Sequence, residues 1–341
     1  MSDPRVDYAP SLAALRDEWD AMAERSENVF GTWEWASAWW RRFGGSARPL
    51  PTRCRTAEGE TFAVLPLYLS RRVGVRTVRL IGHGPADELG PLCAPDDRPR
   101  AGAALRTVLE DVRADVFLGE TLRRDGEWRT LLQASVLGTD ATPALPLAGR
   151  TWEDFLAARS SNFRQQVRRR ERALHAHGLR YRLCNDRARL DRDLDVLFAL
   201  HRRRWQGGDS EFTRRETFHR EFATLAFERG WLRLWFLELN GAEVAAWYGL
   251  RFGGVDWYYQ AGRDPAQDRA AVGFVLLAHS IREAMADGMR EYRLGRGDEE
   301  YKRRFAGEES TVETVVLGRG IKGRAAVAVA RQARPIARHL L

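Results

Sequence analysis

The sequence predicts a mixed α/β protein, and three observations support this fold class. Hydrophobic residues make up 44% of the 341 residues and aromatic residues 10%, which is enough apolar surface for a folded core. Segments in which apolar residues recur with helical spacing alternate along the chain with short β-like runs. From residue 179 onward, the predicted order is strand, two helices, three antiparallel strands, helix, strand, helix and strand. Because the length exceeds that of one compact core, we expect two domains.

The first half of the chain combines helices with short strands. Residues 11–23 have helical apolar spacing. A second helix follows Thr32, a suitable N-cap, and ends at Gly44 and Gly45. The other elements predicted here are strands over 62–69, 73–81 and 116–118, and a helix over 99–113.

The second half carries the clearest local signals. Residues 152–177 are predicted to be helical, because Thr151 and Asp154 have the spacing of a capping box. We expect Asn162 to cap the second part of this region. Asn240 and Gly241 suit a type I′ turn between strands 231–239 and 244–251. The remaining predicted elements are strands over 179–184, 256–261, 289–294 and 312–318, the last closing the sheet, and helices over 190–205, 216–229, 273–287 and 299–305.

Charge and cysteine content narrow the class of protein. The net charge is +8, and Lys302 and Lys322 are the only lysines, so nearly all positive charge is arginine. This balance attracts nucleic acid, anionic lipid or phosphate-bearing ligands, although a GC-rich genome produces the same arginine bias. The 3 cysteines are scattered, without metal-type spacing. With a polar N-terminus and no membrane-length apolar stretch, they favour a reduced cytoplasm.

Motifs of several enzyme classes are absent from the sequence. No set of His and Cys has metal-ligand spacing, so we expect no metal cofactor. Neither a Walker pattern nor a Gly-x-Ser-x-Gly motif occurs, which disfavours nucleotide triphosphatases and hydrolases.

Four stretches of the sequence carry a family resemblance. They are residues 30–35 with Trp39 and Trp40, residues 161–171, Leu200 and His201 with Arg204 and Trp205, and residues 295–305. Together they resemble the GNAT acyltransferases, particularly the bacterial CelD-like branch related to FemAB peptidyltransferases. The resemblance implies tandem GNAT-like domains, with mostly antiparallel central sheets flanked by helices. We place the domains at 1–148 and 149–319, followed by a basic amphipathic tail over 320–341.

A cofactor site is implied by residues 267–274, where GNAT enzymes carry a glycine-rich loop. Helix N-termini bind pyrophosphate through free N–H groups, and glycine lets the backbone approach it. Arg269, Gly273 and Phe274 are therefore the candidates for binding acyl-CoA. The expected earlier glycine is Ala271 or Val272 in this sequence. That departure leaves open the aminoacyl-tRNA donor that the Fem relatives use.

Catalytic candidates follow the last glycine-rich stretch. Acyl transfer needs a base for the amine, a donor for the oxyanion and an acid for the leaving thiolate. The resemblance implies that Tyr301 is the acid. Asp298 and Glu299 can orient or deprotonate the amine, and Lys302 can contact an acyl carboxylate or phosphate. An ordinary helix start, with Asp298 as its cap, also accounts for the two carboxylates.

Acceptor candidates lie on a strand and on a helix. The resemblance implies that Tyr258 or Gln260 lines the acyl pocket, although most rings of this strand are expected in the core. His201 and Trp205 are four residues apart and share a helical face, which makes them candidates for the acceptor pocket. A structural histidine accounts for His201 equally well.

Two basic segments remain. The arginine run at 164–172 can contact a CoA phosphate, tRNA or an acidic substrate, but a solvated helix face is the usual meaning of such a run. The tail at 320–341, which we expect to break near Pro335, can rest on an anionic membrane or dock on its own protein.

These observations and the resemblance together predict a cytoplasmic N-acyltransferase that moves an acyl group from acyl-CoA by direct attack in a ternary complex. Its tail would make it peripheral at the inner membrane if that tail binds lipid. Its acceptor would be a primary amine on a small molecule or peptide. The alternatives are a Fem-like transferase that uses aminoacyl-tRNA, and a non-catalytic module in polysaccharide or envelope assembly.

Overall fold

The computed structural model describes residues 5–205, 208, 210–307 and 309–332, and it confirms the mixed α/β class. The chain forms two compact units. The first combines Met1–Thr142 with Ser310–Leu341, and the second is Pro143–Glu309. The second unit therefore interrupts the first in sequence.

Strands and helices are distributed along the whole described chain. The strands are β1 (Arg5–Tyr8), β2 (Arg48–Arg55), β3 (Thr61–Arg72), β4 (Val75–Leu80), β5 (Leu92–Cys93), β6 (Val116–Arg123), β7 (Ser135–Ala141), β8 (Ala144–Pro146), β9 (Arg180–Leu183), β10 (Leu232–Leu239), β11 (Ala242–Phe252), β12 (Val255–Arg263), β13 (Glu291–Arg293) and β14 (Thr311–Gly318). The helices are α1 (Arg16–Ser26), α2 (Trp33–Phe43), α3 (Arg98–Asp111), α4 (Trp128–Leu131), α5 (Trp152–Ala157), α6 (Ser161–His175), α7 (Leu190–Arg204), α8 (Glu211–Arg214), α9 (Glu216–Glu228), α10 (Val272–Ala286), α11 (Glu300–Phe305) and α12 (Gly320–Gln332).

The sheet of the first unit has the order β1-β2-β3-β4-β6-β14-β7, and β5 pairs with β3. Its pairs are antiparallel except for β4 with β6. The expectation that residues 312–318 close the second sheet is wrong, because β14 pairs with β6 and β7 of the first. An apolar strand pattern shows that a segment is buried but not in which sheet.

A network of polar side chains is buried in the first unit around His83. The Tyr68 hydroxyl lies 2.7 Å from His83 Nε2, and a Glu120 carboxylate oxygen lies 3.0 Å from Nδ1. Arg79 donates to the same carboxylate at 2.7 Å. Burial alone would raise the pKa of Glu120, but His83 and Arg79 hold it well below its ordinary value. The network thus keeps a carboxylate ionised inside the unit.

The sheet of the second unit has the order β8-β13-β12-β11-β10-β9. Its only parallel pair among the described strands joins β12 to β13, over residues 255–257 and 291–293. Further along, Gln260 is opposite Tyr248 while Tyr258 is opposite Gly249, so Tyr259 is the extra residue of a β-bulge. The pairing of β12 with β13 thus ends before the bulge. The later half of β12 has no β13 partner along that edge.

Helices α7 and α10 both pack against this part of the sheet. The fit of α7 on β12 depends on Gly262, because a Cβ there would lie 2.4 Å from the backbone nitrogen of His201. Close packing of a helix on a strand requires a residue without a side chain at such a position. The crossing fixes His201 above β12.

Several predicted helix and turn signals have the expected geometry. Thr32 accepts from the backbone N–H of Trp35 at the start of α2, and Thr151 forms the capping box with Asp154. Asn240 and Gly241 both have positive φ, as a type I′ turn requires. The prediction that Asn162 caps the second helical part is wrong. Ser160 caps α6, because its hydroxyl accepts from the N–H of Phe163.

Helix α12 is the start of the predicted basic tail. Val327 is buried in a cluster with Val116, Leu118 and Val316 of the same unit, whereas Ile321 is 86% exposed. The predicted break near Pro335 lies outside the described residues. Among the helices that the structure describes, none is both long and apolar enough to cross a membrane.

Candidate functional site

The second unit contains a cleft of about 460 Å³ that we call the tyrosine cleft. It runs from the phenol rings of β12 and α11 to the start of α10. Its lining residues are Arg204, Ala246, Trp247, Tyr258, Ala261, Gly262, Arg263, Asp268, Ala271, Gly273, Phe274, Leu276, Leu277 and Tyr301. Apolar walls with a few polar groups are typical of a small-molecule site.

The α10 end of the cleft is formed by backbone rather than by side chains. Ala271 precedes the helix with φ of 55° and provides no side-chain cap, so the first N–H groups of α10 are not capped by a side chain. A Cβ on Gly273 would meet only Arg263, at 3.7 Å, which is an ordinary contact. Nothing in the packing therefore requires glycine at 273. The open space beside a positive helix end fits an anionic group such as a pyrophosphate.

Two tyrosines meet at the other end of the cleft. The Tyr301 hydroxyl lies 3.3 Å from the Tyr258 hydroxyl, and the rings are in edge contact. Burial, and then the neighbouring Tyr258, raise the pKa of Tyr301 well above its ordinary value. Burial favours the neutral form of Tyr301. Because one O–H is used between the rings, the pair retains one O–H for a ligand.

A second cleft, of about 400 Å³, lies around His201, and we call it the histidine cleft. Its lining residues are His201, Trp205, Gly208, Ser210, Glu211, Phe212 and Gln260. His201 Nδ1 donates to the carbonyl of Ala261 at 3.0 Å, and Ser210 Oγ lies 2.8 Å from Nε2. Since a carbonyl only accepts, Nε2 of the neutral ring accepts from Ser210. Burial lowers the pKa of His201 to about 4.

The structure distributes the predicted site residues over three places. Tyr258, Tyr301, Gly273 and Phe274 line the tyrosine cleft, whereas His201, Trp205 and Gln260 line the histidine cleft. The other four lie outside both linings, at the start of α11 or before α10; they are Asp298, Glu299, Lys302 and Arg269.

The loop before α11 is held by ion pairs of its own. Asp298 is exposed and accepts from Arg303 at 2.6 Å, which lowers the pKa of Asp298. Lys302 is buried, donates to the carbonyl of Arg296 at 2.7 Å and pairs with Glu299 at 2.9 Å. The N-cap residue of α11 is Glu299, without a side-chain cap bond, so Asp298 is not its cap. In the structure, these side chains bind groups of this loop and of α11 itself.

Sequence reasoning missed several residues that line the clefts. Arg204 donates to the Ala261 carbonyl at 3.3 Å, and Arg263 pairs with Asp268 at 2.6 Å, whereas the predicted Arg269 is exposed. The turn signal at Asp264 and Pro265 marks the end of β12 and could have pointed to Arg263 as the last strand residue. Arg204 belongs to a stretch that carries the family resemblance, but the sequence did not identify it as a lining residue.

A known protein family matches part of the chain. Residues 161–303 match the acetyltransferase (GNAT) domain family. The residues described as lining both clefts fall within this matched range. No curated protein sequence matches the chain.

Solved structures resemble the chain well beyond the GNAT domain. FemX is 10% identical, with a TM-score of 0.68 over 96% of this chain and 100% of its own. L-PGS from Bacillus licheniformis is 11% identical, with a TM-score of 0.55 over 93% of this chain and 96% of its own. A tandem GNAT protein from the clavulanic acid biosynthesis pathway is 12% identical, with a TM-score of 0.51 over 93% and 99%. At these identities the likeness concerns the fold alone.

Proposed function

We propose that the chain is an N-acyltransferase that moves an acyl group from acyl-CoA to a primary amine by direct attack. The observation that carries the proposal is the tyrosine cleft. It connects a helix N-terminus with room for a pyrophosphate to a buried pair of phenols. A thioester placed along it would have its phosphates at α10 and its sulfur near Tyr301.

The nucleotide end of the donor would be held by backbone and arginine. The first N–H groups of α10 face an anion favourably, and Gly273 leaves room for close approach. Arg263 lines the same end, where Asp268 fixes its guanidinium. Phe274 lines the same end of the cleft. In this proposal Arg269 is a neighbouring surface cation.

The phenols would act on the departing sulfur. The neutral amine nitrogen bonds to the acyl carbon, the carbon–sulfur bond breaks with its electron pair on sulfur, and the proton that nitrogen loses replaces the one that the phenol gives to sulfur. An O–H of the Tyr258–Tyr301 pair donates to that sulfur as charge develops. Burial that raises the pKa of Tyr301 would also raise the proton affinity of a thiolate in the same cleft, so sulfur can compete for the proton.

The amine would enter through the histidine cleft. Gln260 lines that cleft and Ala261, the next residue on β12, lines the other, so the two clefts flank one strand. Neutral His201 can accept a hydrogen bond from the amine at Nε2 if the Ser210 hydroxyl turns away. None of the residues described as lining either cleft is a cysteine, which supports direct attack rather than an acyl-enzyme.

The first test is thermal denaturation of the whole chain with titrated acetyl-CoA, longer acyl-CoAs and free CoA. A ligand that binds only the native state raises Tm with concentration. We expect stabilisation by a CoA species that is lost in Gly273→Glu. Ala266→Glu, in the turn before α10, is the control because Ala266 is exposed and outside the cleft lining. The absence of any response to CoA would reject the proposal.

The second test asks whether the cleft is catalytic. Once an acyl-CoA is identified, Tyr301→Phe should lower kcat about 100-fold while the affinity for CoA stays unchanged. Unchanged turnover would remove the role of Tyr301. If Tyr301→Phe has no turnover but a host that carries this variant keeps a normal phenotype, the result would instead favour a non-catalytic module in polysaccharide or envelope assembly.

A Fem-like transferase that uses aminoacyl-tRNA is the second candidate. Helix α6 carries Arg168, Arg169 and Arg172 exposed on its surface, and FemX covers nearly the whole chain in structure. If this reading holds, uncharged tRNA raises Tm in a salt-sensitive manner, because phosphate contacts release counterions. A response to CoA with none to tRNA would decide against it.

A further inference from the structure

Two arginine side chains lie against a ring that lines the tyrosine cleft. The guanidinium carbon of Arg170 is 5.0 Å from the centre of the Phe274 ring, and that of Arg304 is 5.2 Å from it. Arg304 also lies 5.6 Å from the ring of Phe163. Helix α6 and helix α11 thus bring one guanidinium each to a single aromatic surface beside the cleft.

Neither arginine has a carboxylate partner among the described residues, although their neighbours in sequence do. Glu171, next to Arg170, accepts from Tyr181 and Arg282 instead. Arg303, next to Arg304, pairs with Asp298. Arg304 donates to Gln166 Oε1 at 2.5 Å, which is a neutral acceptor. The pair therefore holds two positive charges that the surrounding carboxylates leave uncompensated.

The two charges also act on each other. Burial, then Arg304 and Arg169, lower the pKa of Arg170. Like charges held together in a partly buried place cost free energy, and an anion between them removes that cost. Guanidinium groups bind phosphate with planar, paired hydrogen bonds, which makes two of them a suitable phosphate site.

The position of Arg170 and Arg304 in the fold is suited to contact with the proposed CoA donor. Helix α6 contacts the 3-10 helix Pro265–Ala270, which leads directly into α10 and the anionic end of the tyrosine cleft. Phe274 itself follows Gly273 on the first turn of α10. A part of the ligand that extends from the start of α10 toward α6 would thus contact the two guanidiniums.

We propose that Arg170 and Arg304 form a phosphate-binding site that holds the nucleotide end of the CoA donor against Phe274. This assignment rests on the proposed acyl-CoA function and adds the residues that would select a nucleotide-bearing donor over a bare pantetheine thioester. The phosphate is either the 3′-phosphate or the pyrophosphate of CoA, which share the same chemistry.

The test is calorimetric titration of CoA, 3′-dephospho-CoA and pantetheine into the wild-type chain, Arg170→Gln and Arg304→Gln. We expect each substitution to raise the Kd for CoA about tenfold, because a charge-assisted hydrogen bond is lost. An effect on CoA alone assigns the 3′-phosphate. An effect on CoA and dephospho-CoA assigns the pyrophosphate. Pantetheine should bind the variants as it binds the wild type.

Arg172→Gln is the matched control. It removes the same charge from the same helix, but two residues on, about 200° around the axis, at an exposed position. Arg304→Lys keeps the charge and checks whether lost packing on Phe163 explains the Arg304→Gln result, with Tm as the measure of folding.

The outcomes separate the two proposals. If the wild type binds CoA and neither glutamine variant weakens it, or if Arg172→Gln weakens it equally, the phosphate site is rejected while the acyl-CoA function stands. If the wild type binds no CoA species, the function is rejected and the site with it.

Discussion

The two units each bury a histidine in a network of polar side chains, but they give it different partners. In the first unit, His83 lies between the Tyr68 hydroxyl and the Glu120 carboxylate, and Arg79 binds the same carboxylate. The Glu120 carboxylate is matched there by the Arg79 guanidinium, and the His83 ring has a polar partner near each of its nitrogens. The network has the composition of a structural ion cluster.

In the second unit, the partner of the ring is a backbone carbonyl. Ala261 fixes which nitrogen of His201 carries the proton but contributes no charge. Burial then keeps the ring neutral, with a pKa of about 4. A carboxylate partner fixes a charge, whereas a carbonyl partner fixes only a tautomer. The second histidine lines a cleft and can exchange its remaining hydrogen bond with a ligand.

The largest effect is expected from removing the carboxylate of the first network. Glu120→Gln leaves Arg79 and His83 buried without their anion, so the free energy of unfolding should fall by about 3–5 kcal/mol. Urea denaturation measures it. Asp125→Asn, which removes a carboxylate from an exposed pair with Arg123, should cost at most about 1 kcal/mol. Equal costs for the two variants would mean that the network is not an ion cluster.

A smaller effect on stability is expected from the titration of His201 in the second unit. The pKa of His201 is lower in the folded state, about 4, than its ordinary value of 6.5. The unfolded chain therefore binds more protons between these values, and stability present above pH 6.5 is lost as the pH falls toward 4.

His201→Gln should lack this contribution, which is about 3 kcal/mol at most. Denaturation at a series of pH values measures the difference between variant and wild type. His219, also buried, has a pKa well below its ordinary value and keeps part of the slope in both proteins. Parallel curves would show that His201 titrates in the folded protein as it does in the unfolded chain, and would contradict this prediction.

The smallest effect is expected from the serine that donates to His201. Ser210→Ala removes a helix cap and should cost about 1 kcal/mol at neutral pH. Ser160→Ala removes the corresponding cap of α6 and should cost a similar amount. Only Ser210→Ala should shift the folded-state pKa of His201 toward 6.5 and so reduce the loss of stability at acid pH, because Ser210 stabilises the neutral ring. The same shift in both variants would contradict the assigned tautomer.

Much of the fold was predictable because the signals were local. The cap at Thr32, the capping box at Thr151 and the turn at Asn240 each depend on neighbours in sequence, and the structure has all three. Strand β2 was missed because Pro49 and Pro51 disfavour a strand within a sheet, yet β2 pairs with both β1 and β3. Long-range pairing there overrides the local preference.

The candidate site was predictable in part, for the same reason. Gly273 and Tyr301 follow a strand and a turn in recognisable order, and both line one cleft. Other contacts depend on how one loop folds back on a helix, which the sequence does not indicate. They are the pairing of Asp298 with Arg303 and the bond from Lys302 to the Arg296 carbonyl. The sequence also gives no signal for the left-handed conformation of Ala271, since alanine rarely adopts it.

Strand β14 gives the chain an unusual order of assembly. It lies between β6 and β7 in the sheet of the first unit, yet it is synthesised after the whole of Pro143–Glu309. As the chain leaves the ribosome, the second unit has all its strands before the first has its inner strand. The first unit must wait with β6 and β7 unpaired along the edges that β14 later joins. The segment that is translated first is therefore completed last, and the edges that β14 later joins stay open to pairing in the interval.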